Sequence, residues 1–426
     1  MYREYLKMNG FVTSKRSKIS DKVKLRDKIV EEADADKNSD LNDNKLPIDT
    51  LSNSVNKSGF SFNNRKKLVL HFDIRNTVLV ADSVTNVSVE QALNSFLTGV
   101  VWGREGPEGE WIWYSDQISL TPPTNDVITY YKFLEKKFVK NTADRTALRL
   151  ATGDFVHSEI GSRFKPYLQQ HLDLLKWRHE FDQETHDILT MSGLDGQQYN
   201  YIVPALYKCI HYLVETKREF AIVFRTFGLD APNVIKSLEC GLKGNHPGYP
   251  KSLDLKINDI IGTVKRSDSE PTVFIELDKD SKQTFVGDRA IYDMLSQKTG
   301  ISGFRDDVNY WLENSYHHQT AKPHLIDPHD EDVHHIFFDD NFRTFEDDSI
   351  VDVRMFETRD AENARSLAKT EVAQFDNICL VQADLIKCIE EENYYVDRIR
   401  ECESNYNLFL QKYKRFSRSM SLNTMV

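Results

Sequence analysis

Three short apolar runs, each stopping on polar residues, constrain this 426-residue chain more than anything else in it. Leu68-Val69-Leu70 runs through Phe72 into Asp73-Ile74-Arg75-Asn76-Thr77. Phe220 to Phe224 runs into Arg225-Thr226-Phe227-Gly228, and His335 to Phe338 into Asp339-Asp340-Asn341. A nearly continuous apolar run bounded by charge suits a parallel strand buried on both faces. In open α/β sheets, ligands bind beyond the carboxyl ends of the strands. Three such strands lying side by side would bring Asp73, Thr226, Asp339 and Asp340 to one crevice.

The intervening stretches fit the same class. Residues 173–194 and 201–218 space apolar residues by three and four, which predicts packing helices. Residues 271–288 alternate and predict a hairpin turning at Asp278-Lys279-Asp280. The Trp-rich stretch "VVWGREGPEGEWIWYSDQISL" predicts an inserted loop or cap hairpin. From Ala361 to about Leu410, the residues Leu367, Val372, Phe375, Ile378, Leu385 and Ile389 fall near one face of a long helix. A helix of that length also offers a contact to a protein partner through 361–410. The polar segment 1–64 is too poor in apolar residues to offset its ordering entropy and is expected to be disordered.

A formal charge of −11 argues against nucleic-acid binding. No apolar run reaches the length of about eighteen residues that a membrane span needs, and the N-terminus lacks a secretory core. The cysteines (Cys209, Cys240, Cys379, Cys388, Cys402) form no Cys-x-x-Cys pair, so they are expected to be reduced core fillers of a cytoplasmic protein.

In this order the strand tips resemble the signature motifs of the haloacid dehalogenase (HAD) superfamily. Asp73-Ile74-Arg75-Asn76-Thr77 is similar to its first motif, Asp-x-Asp-x-Thr/Val. Thr226 matches the second, Lys322-Pro323 the third, and Asp339-Asp340 the acidic pair of the fourth. The resemblance covers roughly residues 65–350. It implies a doubly wound, mostly parallel α/β core over 65–358 with a cap inserted at roughly 80–218; beyond it the residues themselves predict a helical segment 359–413 and a flexible basic tail 414–426. It also implies a magnesium-dependent phosphohydrolase that acts on a small phosphorylated compound through an aspartyl-phosphate.

Within that resemblance each residue acquires a role. Asp73 is the nucleophile, suited to it because a carboxylate is ionised without help from a base. Magnesium, which keeps several waters and few protein ligands, would be held by Asp73, the carbonyl of Arg75, and Asp339 or Asp340. Thr226 and Lys322 are the remaining catalytic residues and would stabilise phosphoryl charge. Arg75, Asn76, Thr77 and Arg225 are the expected substrate-binding residues.

The departure is Arg75, which stands where the family carries its second aspartate. That acid protonates the leaving alcohol, a contribution of about 10²–10⁴ in rate. A guanidinium stays protonated and cannot shuttle a proton. Three outcomes are open: substrates with good leaving groups, a proton donor from elsewhere, or a pseudo-phosphatase that binds a phosphorylated ligand or protein. Blander readings stand beside these. Asp73 can cap a strand, Thr226 can shape a turn, and Lys322 can be a surface lysine with Lys236 and Lys243 as rivals. His317, His318, His324, His329, His334 and His335 gather near the fourth motif. Zinc is the sharp reading there, with Asp327, Asp330, Glu331 and Asp332 assisting, and a partly buried cluster the bland one. One of these histidines is also a candidate substitute acid.

Overall fold

The computed structural model describes residues 65–81, 87–180, 185–344 and 349–423. The segment 1–64, expected to be disordered, lies outside them. The first apolar run forms β1 (Lys67–Phe72). An insertion follows, with β2 (Val101–Glu105), β3 (Trp111–Ile118) and β4 (Ile128–Thr129) in one small sheet, and β5 (Thr190–Ser192) paired with β6 (Gln198–Asn200). The Trp-rich stretch is the β2–β3 hairpin. Trp111 meets Trp113, Tyr130 and Phe133, and Trp113 reaches Phe164 at 5.0 Å between ring centroids, giving the insertion its own aromatic core.

The remaining strands are β7 (Phe220–Thr226), β8 (Gly262–Lys265), β9 (Val273–Asp278), β10 (Ser281–Val286), β11 (Gly300–Arg305), β12 (Lys322–Ile326), β13 (Val333–Asp339), β14 (Val351–Met355), β15 (Arg365–Ser366) and β16 (Leu380–Gln382). The main sheet has eight strands in the order β10-β9-β8-β11-β7-β1-β13-β16. From β8 to β16 every pairing is parallel, and the β9–β10 hairpin turns at Lys279–Asp280 as its alternation predicted. The protein is therefore α/β with a large, mostly parallel sheet.

All three apolar runs lie adjacent and point the same way, with Phe72 level with Phe224 on one side and Phe338 on the other. Side chains alternate across the sheet. On one face Val69, Val223 and Phe304 pack under the helix Asp288–Gln297. On the other, Phe72 and Phe338 stack at 4.7 Å and both meet Tyr395 edge-on. Cover on both faces explains why these strands are continuously apolar rather than alternating. Each such buried side chain contributes about 1.5–3 kcal/mol.

The order of crossing creates the crevice. The chain builds outward from β1 through β7 to β11, then returns to the opposite side of β1 as β13 and continues to β16. The direction of winding reverses between β1 and β13, and at such a switch point the loops leaving neighbouring carboxyl ends diverge.

A second sheet, β12-β14-β15, stands on the first and is tied to its surroundings by buried and partly buried arginines. Arg225, held by Asp306 through two bonds of 2.9 and 2.5 Å, donates to Pro323 O of β12 at 3.1 Å, and Arg266 reaches Asp352 at 2.7 Å. Arg354 reaches Asp288 at 2.9 Å and Arg289 reaches Asp327 at 2.7 Å.

Two helix expectations are corrected. Residues 173–194 do not form one helix: the helix Lys165–Leu175 stops, Lys176 bridges to Tyr199, and His186–Leu189 makes a single turn before β5. The β5–β6 hairpin prevails there, its turn made by Gly196 at φ +75. Nor does one helix run from Ala361 to Leu410. That stretch holds β15, the short helix Lys369–Val372, β16 as an edge strand of the main sheet, and the helix Leu385–Glu390. Asn377 at φ +52 and Asp384 as an N-cap break the helical phase. Leu367, Val372, Phe375 and Leu385 are still buried, but on separate elements. The long helix begins later, at Tyr394, and runs to Asn423 through most of the stretch read as a flexible tail. It buries Tyr395, Val396, Ile399, Cys402, Tyr406 and Leu410 within this chain.

Candidate functional site

Asp73 is the first residue beyond β1, and its backbone N–H donates to Phe338 O at 2.9 Å, locking it against the end of β13. The chain then curls tightly, with the N–H groups of Val78 and Leu79 both reaching Ile74 O. The curl needs one left-handed residue, and Asn76 supplies it at φ +58, a conformation asparagine tolerates better than most side chains. That backbone choice aims the Asn76 amide at Asp340 Oδ2, 3.1 Å away. Thr77 is fully buried; its carbonyl accepts from the Tyr395 hydroxyl, while its own hydroxyl has no hydrogen-bond partner. Arg75 is half-buried, and its backbone bridges to Leu79.

β13 ends on Asp339, with Asp340 next. Asp339 Oδ1 accepts from the Asn341 N–H at 2.9 Å, and Asp340 Oδ1 from the Asn341 side-chain amide at 3.1 Å. Carboxylate oxygens of Asp73, Asp339 and Asp340 all lie within 4.8 Å of one another, the only such metal-ligating group among the described residues. Their convergence comes from the parallel β1–β13 pairing alone.

Lys322 completes the cluster. Reading it as a surface lysine is wrong: it opens β12, is wholly buried, and donates from Nζ to Asp73 Oδ1 at 2.5 Å and Asp339 Oδ2 at 2.8 Å. Its rivals Lys236 and Lys243 are exposed, and Lys243 pairs with Glu239. Burial alone would discharge Lys322, but Asp339 and Asp73 outweigh it and hold the ammonium protonated. Asp73 is pushed well above the usual carboxylate range by burial and by Asp339 and Asp340, with Lys322 pulling the other way. Burial and then Asp339 raise Asp340 to about 6. Were all three carboxylates ionised, one ammonium would leave the cluster short of two positive charges.

Thr226 ends β7 beside this cluster, and its hydroxyl accepts from the Gly228 N–H at 2.9 Å, so it does shape a turn. Arg225 departs from its expected role as a substrate ligand. All its nitrogens are engaged inside the protein, two with Asp306 and the third with Pro323 O at 3.1 Å. It thereby clamps the residue after Lys322 and positions the lysine.

The one group of metal-ligating side chains found among the described residues contains no histidine. His324, His334 and His335 are buried, and burial lowers His334 and His335 to about 3 and His324 well below the ordinary range. They are neutral near pH 7 and unsuited as substitute acids there. His71 on β1, overlooked in the sequence, joins them: its Nε2 lies 3.1 Å from His335 Nδ1, and the far nitrogen of His335 meets Ser296 Oγ at 2.9 Å. The cysteines are all free thiols, and burial pushes Cys209 up to about 12. Asn341, Asp306 and Tyr395 also escaped the sequence reading. Asn341 closes the Asp339-Asp340-Asn341 tip but drew no role there; the other two are marked by nothing local. No helix among the described residues is long and apolar enough to cross a membrane. No family model, no curated protein and no solved structure matches the chain.

Proposed function

We propose that this protein is a HAD-like, magnesium-dependent phosphohydrolase with Asp73 as nucleophile, built on a doubly wound core and acting on a small phosphorylated compound. The observation that carries the reading is the convergence of Asp73, Asp339 and Asp340 within 4.8 Å at the switch point, with Lys322 bridging two of them. A purely structural cluster would not bury three carboxylates against one cation, since uncompensated buried charge is expensive.

The donor set fits a hard divalent ion: oxygen ligands only, with a charge deficit of two. Asp73, Asp339 and Asp340 would hold magnesium, which would screen the approach of one anion to another. Asp73 attacks phosphorus. Lys322 keeps the carboxylates fixed and supplies positive charge where phosphoryl charge spreads. Asn76 and Asn341 orient Asp340 through its two oxygens. Thr226 stands ready to donate its hydroxyl to a phosphoryl oxygen, as its accepted bond from Gly228 leaves that proton unused.

Incubating the protein with acetyl phosphate and magnesium, beside Asp73→Asn, tests this directly. Phosphate release and an acid-stable, hydroxylamine-labile phosphoprotein are expected for the natural chain and neither for the variant. Equal signals from both would rule the reading out. The second reading, a pseudo-phosphatase that only binds a phosphorylated ligand, is favoured by one observation, the guanidinium of Arg75 where an acid is needed. Magnesium-dependent phosphate binding without turnover would select it.

A further inference from the structure

Resting on the hydrolase reading, we propose that the substrate is an aryl phosphate, of the phosphotyrosine type, whose ring lies against Phe227 and Trp311. Phe227 immediately follows Thr226, and its ring centroid is 5.3 Å from Lys322 Nζ, which in turn touches Asp73 at 2.5 Å. Lys322 is wholly buried and Phe227 half-buried, so this ring forms part of the boundary between the reactive cluster and solvent. Phe227 stacks on Trp311 at 5.3 Å with planes 23° apart, and Trp311 meets Tyr316 edge-on at 5.0 Å. Arg145, from the insertion helix Thr142–Thr152, sits 4.4 Å from the Tyr316 ring centroid. An aromatic wall therefore leads from the nucleophile to the insertion. Its three rings remain partly exposed, whereas the aromatic residues of the sheet, such as Phe72, Phe224, Phe337 and Phe338, are fully buried. The Trp311 indole N–H is itself shielded and has no protein acceptor, a donor left for a ligand.

Arg75 points the same way by a separate route. Without an acid, the leaving oxygen must depart as an anion. A phenol ionises near pH 10, whereas an alkoxide resembles hydroxide, whose parent water has a pKa of about 15.7. The Asp73 carboxylate forms an O–P bond as the P–O(aryl) bond breaks, and the electron pair leaves on the phenolate, which then takes a proton from water. A second water attacks phosphorus and the P–O bond to Asp73 breaks to restore the carboxylate; one proton of that water stays on the released phosphate and the other neutralises the hydroxide left by the first water. The sum is aryl phosphate plus water giving phenol plus phosphate.

The test compares phenyl phosphate, glycerol phosphate and adenosine monophosphate with magnesium, and acetyl phosphate as an activated substrate without a ring. Expected is a kcat/KM for phenyl phosphate about 100-fold or more above both alkyl esters, in line with the span assigned to a missing acid. Phe227→Ala should lower the phenyl-to-acetyl ratio of kcat/KM by roughly tenfold, mainly through KM, and Phe227→Trp should restore it. Equal rates for phenyl and glycerol phosphate, or a ratio unmoved by Phe227→Ala in a folded variant, would overturn the proposal. Adenosine monophosphate matching phenyl phosphate would also overturn it, showing that stacking and not the leaving group decides. Turnover of acetyl phosphate without any of phenyl phosphate sinks this inference alone; no turnover of either sinks the hydrolase reading with it.

Discussion

The tips of β1, β12 and β13 carry charge, and the same strands one or two pleats further back carry imidazoles that are neutral. Asp73, Lys322 and Asp339 occupy the tips; His71, His324 and His335 lie behind them, with ring centroids of His71 5.4 Å from each of the other two. Both layers are buried. At the tips, Lys322 has carboxylates within hydrogen-bond reach that keep it charged despite its burial, while Asp73 is still pushed up by burial against the pull of Lys322. Behind, the neighbouring charge is Arg225, which lowers His71 and His324 further on top of desolvation. For these basic groups the contrast teaches that burial by itself does not decide whether the charge is kept; the sign of the nearest partner does.

Acid provides the largest way to break this contrast. The folded pKa values of His71, His324, His334 and His335 are depressed, so the unfolded chain takes up protons first as pH falls below about 6.5. Each imidazole then withdraws up to about 1.4 kcal/mol of stability per pH unit. Asp73 and Asp340 act oppositely, since a raised folded pKa adds stability as pH drops toward the unfolded value. Four imidazoles against two carboxyls leave net acid destabilisation between pH 6.5 and 4, readable as a falling denaturant midpoint. A flat midpoint over that range would mean that the imidazole layer is open to protons in the folded state.

Lys322→Met should come next. It removes the only cation bonded to Asp73 and Asp339 among the described residues, a loss of about 3–5 kcal/mol in urea unfolding. Millimolar magnesium should recover part of it if the carboxylates hold the ion. Arg75→Asp probes the tips differently, with alkyl monoester hydrolysis expected to rise by up to about 10²-fold. Unaltered rates with metal still bound would show that more than an acid is lacking. The smallest change is expected from His71→Phe, which leaves His335 Nδ1 without a partner and should destabilise by about 1–3 kcal/mol while making the acid transition shallower.

The three central strands and their polar tips were legible because strands buried on both faces must be continuously apolar, a local property of composition. The β9–β10 hairpin and the Trp-rich hairpin were legible for the same kind of local reason. The stretch from 361 to 410 was misread because apolar residues three and four apart can also come from short elements that turn at Asn377 and Asp384. Asp73 and the Asp339–Asp340 pair were therefore determined by sequence as strand-end acids. Only tertiary structure decided that Lys322 is wholly buried between two of them, that Arg225 faces Asp306 instead of a ligand, and that Phe227 and Trp311 form a wall at their side. Those outcomes depend on which strands become neighbours and on how the second sheet sits on the first. Pairing across 249 residues, as between Lys322 and Asp73, is set by the register of the whole fold and leaves no periodic trace near either residue.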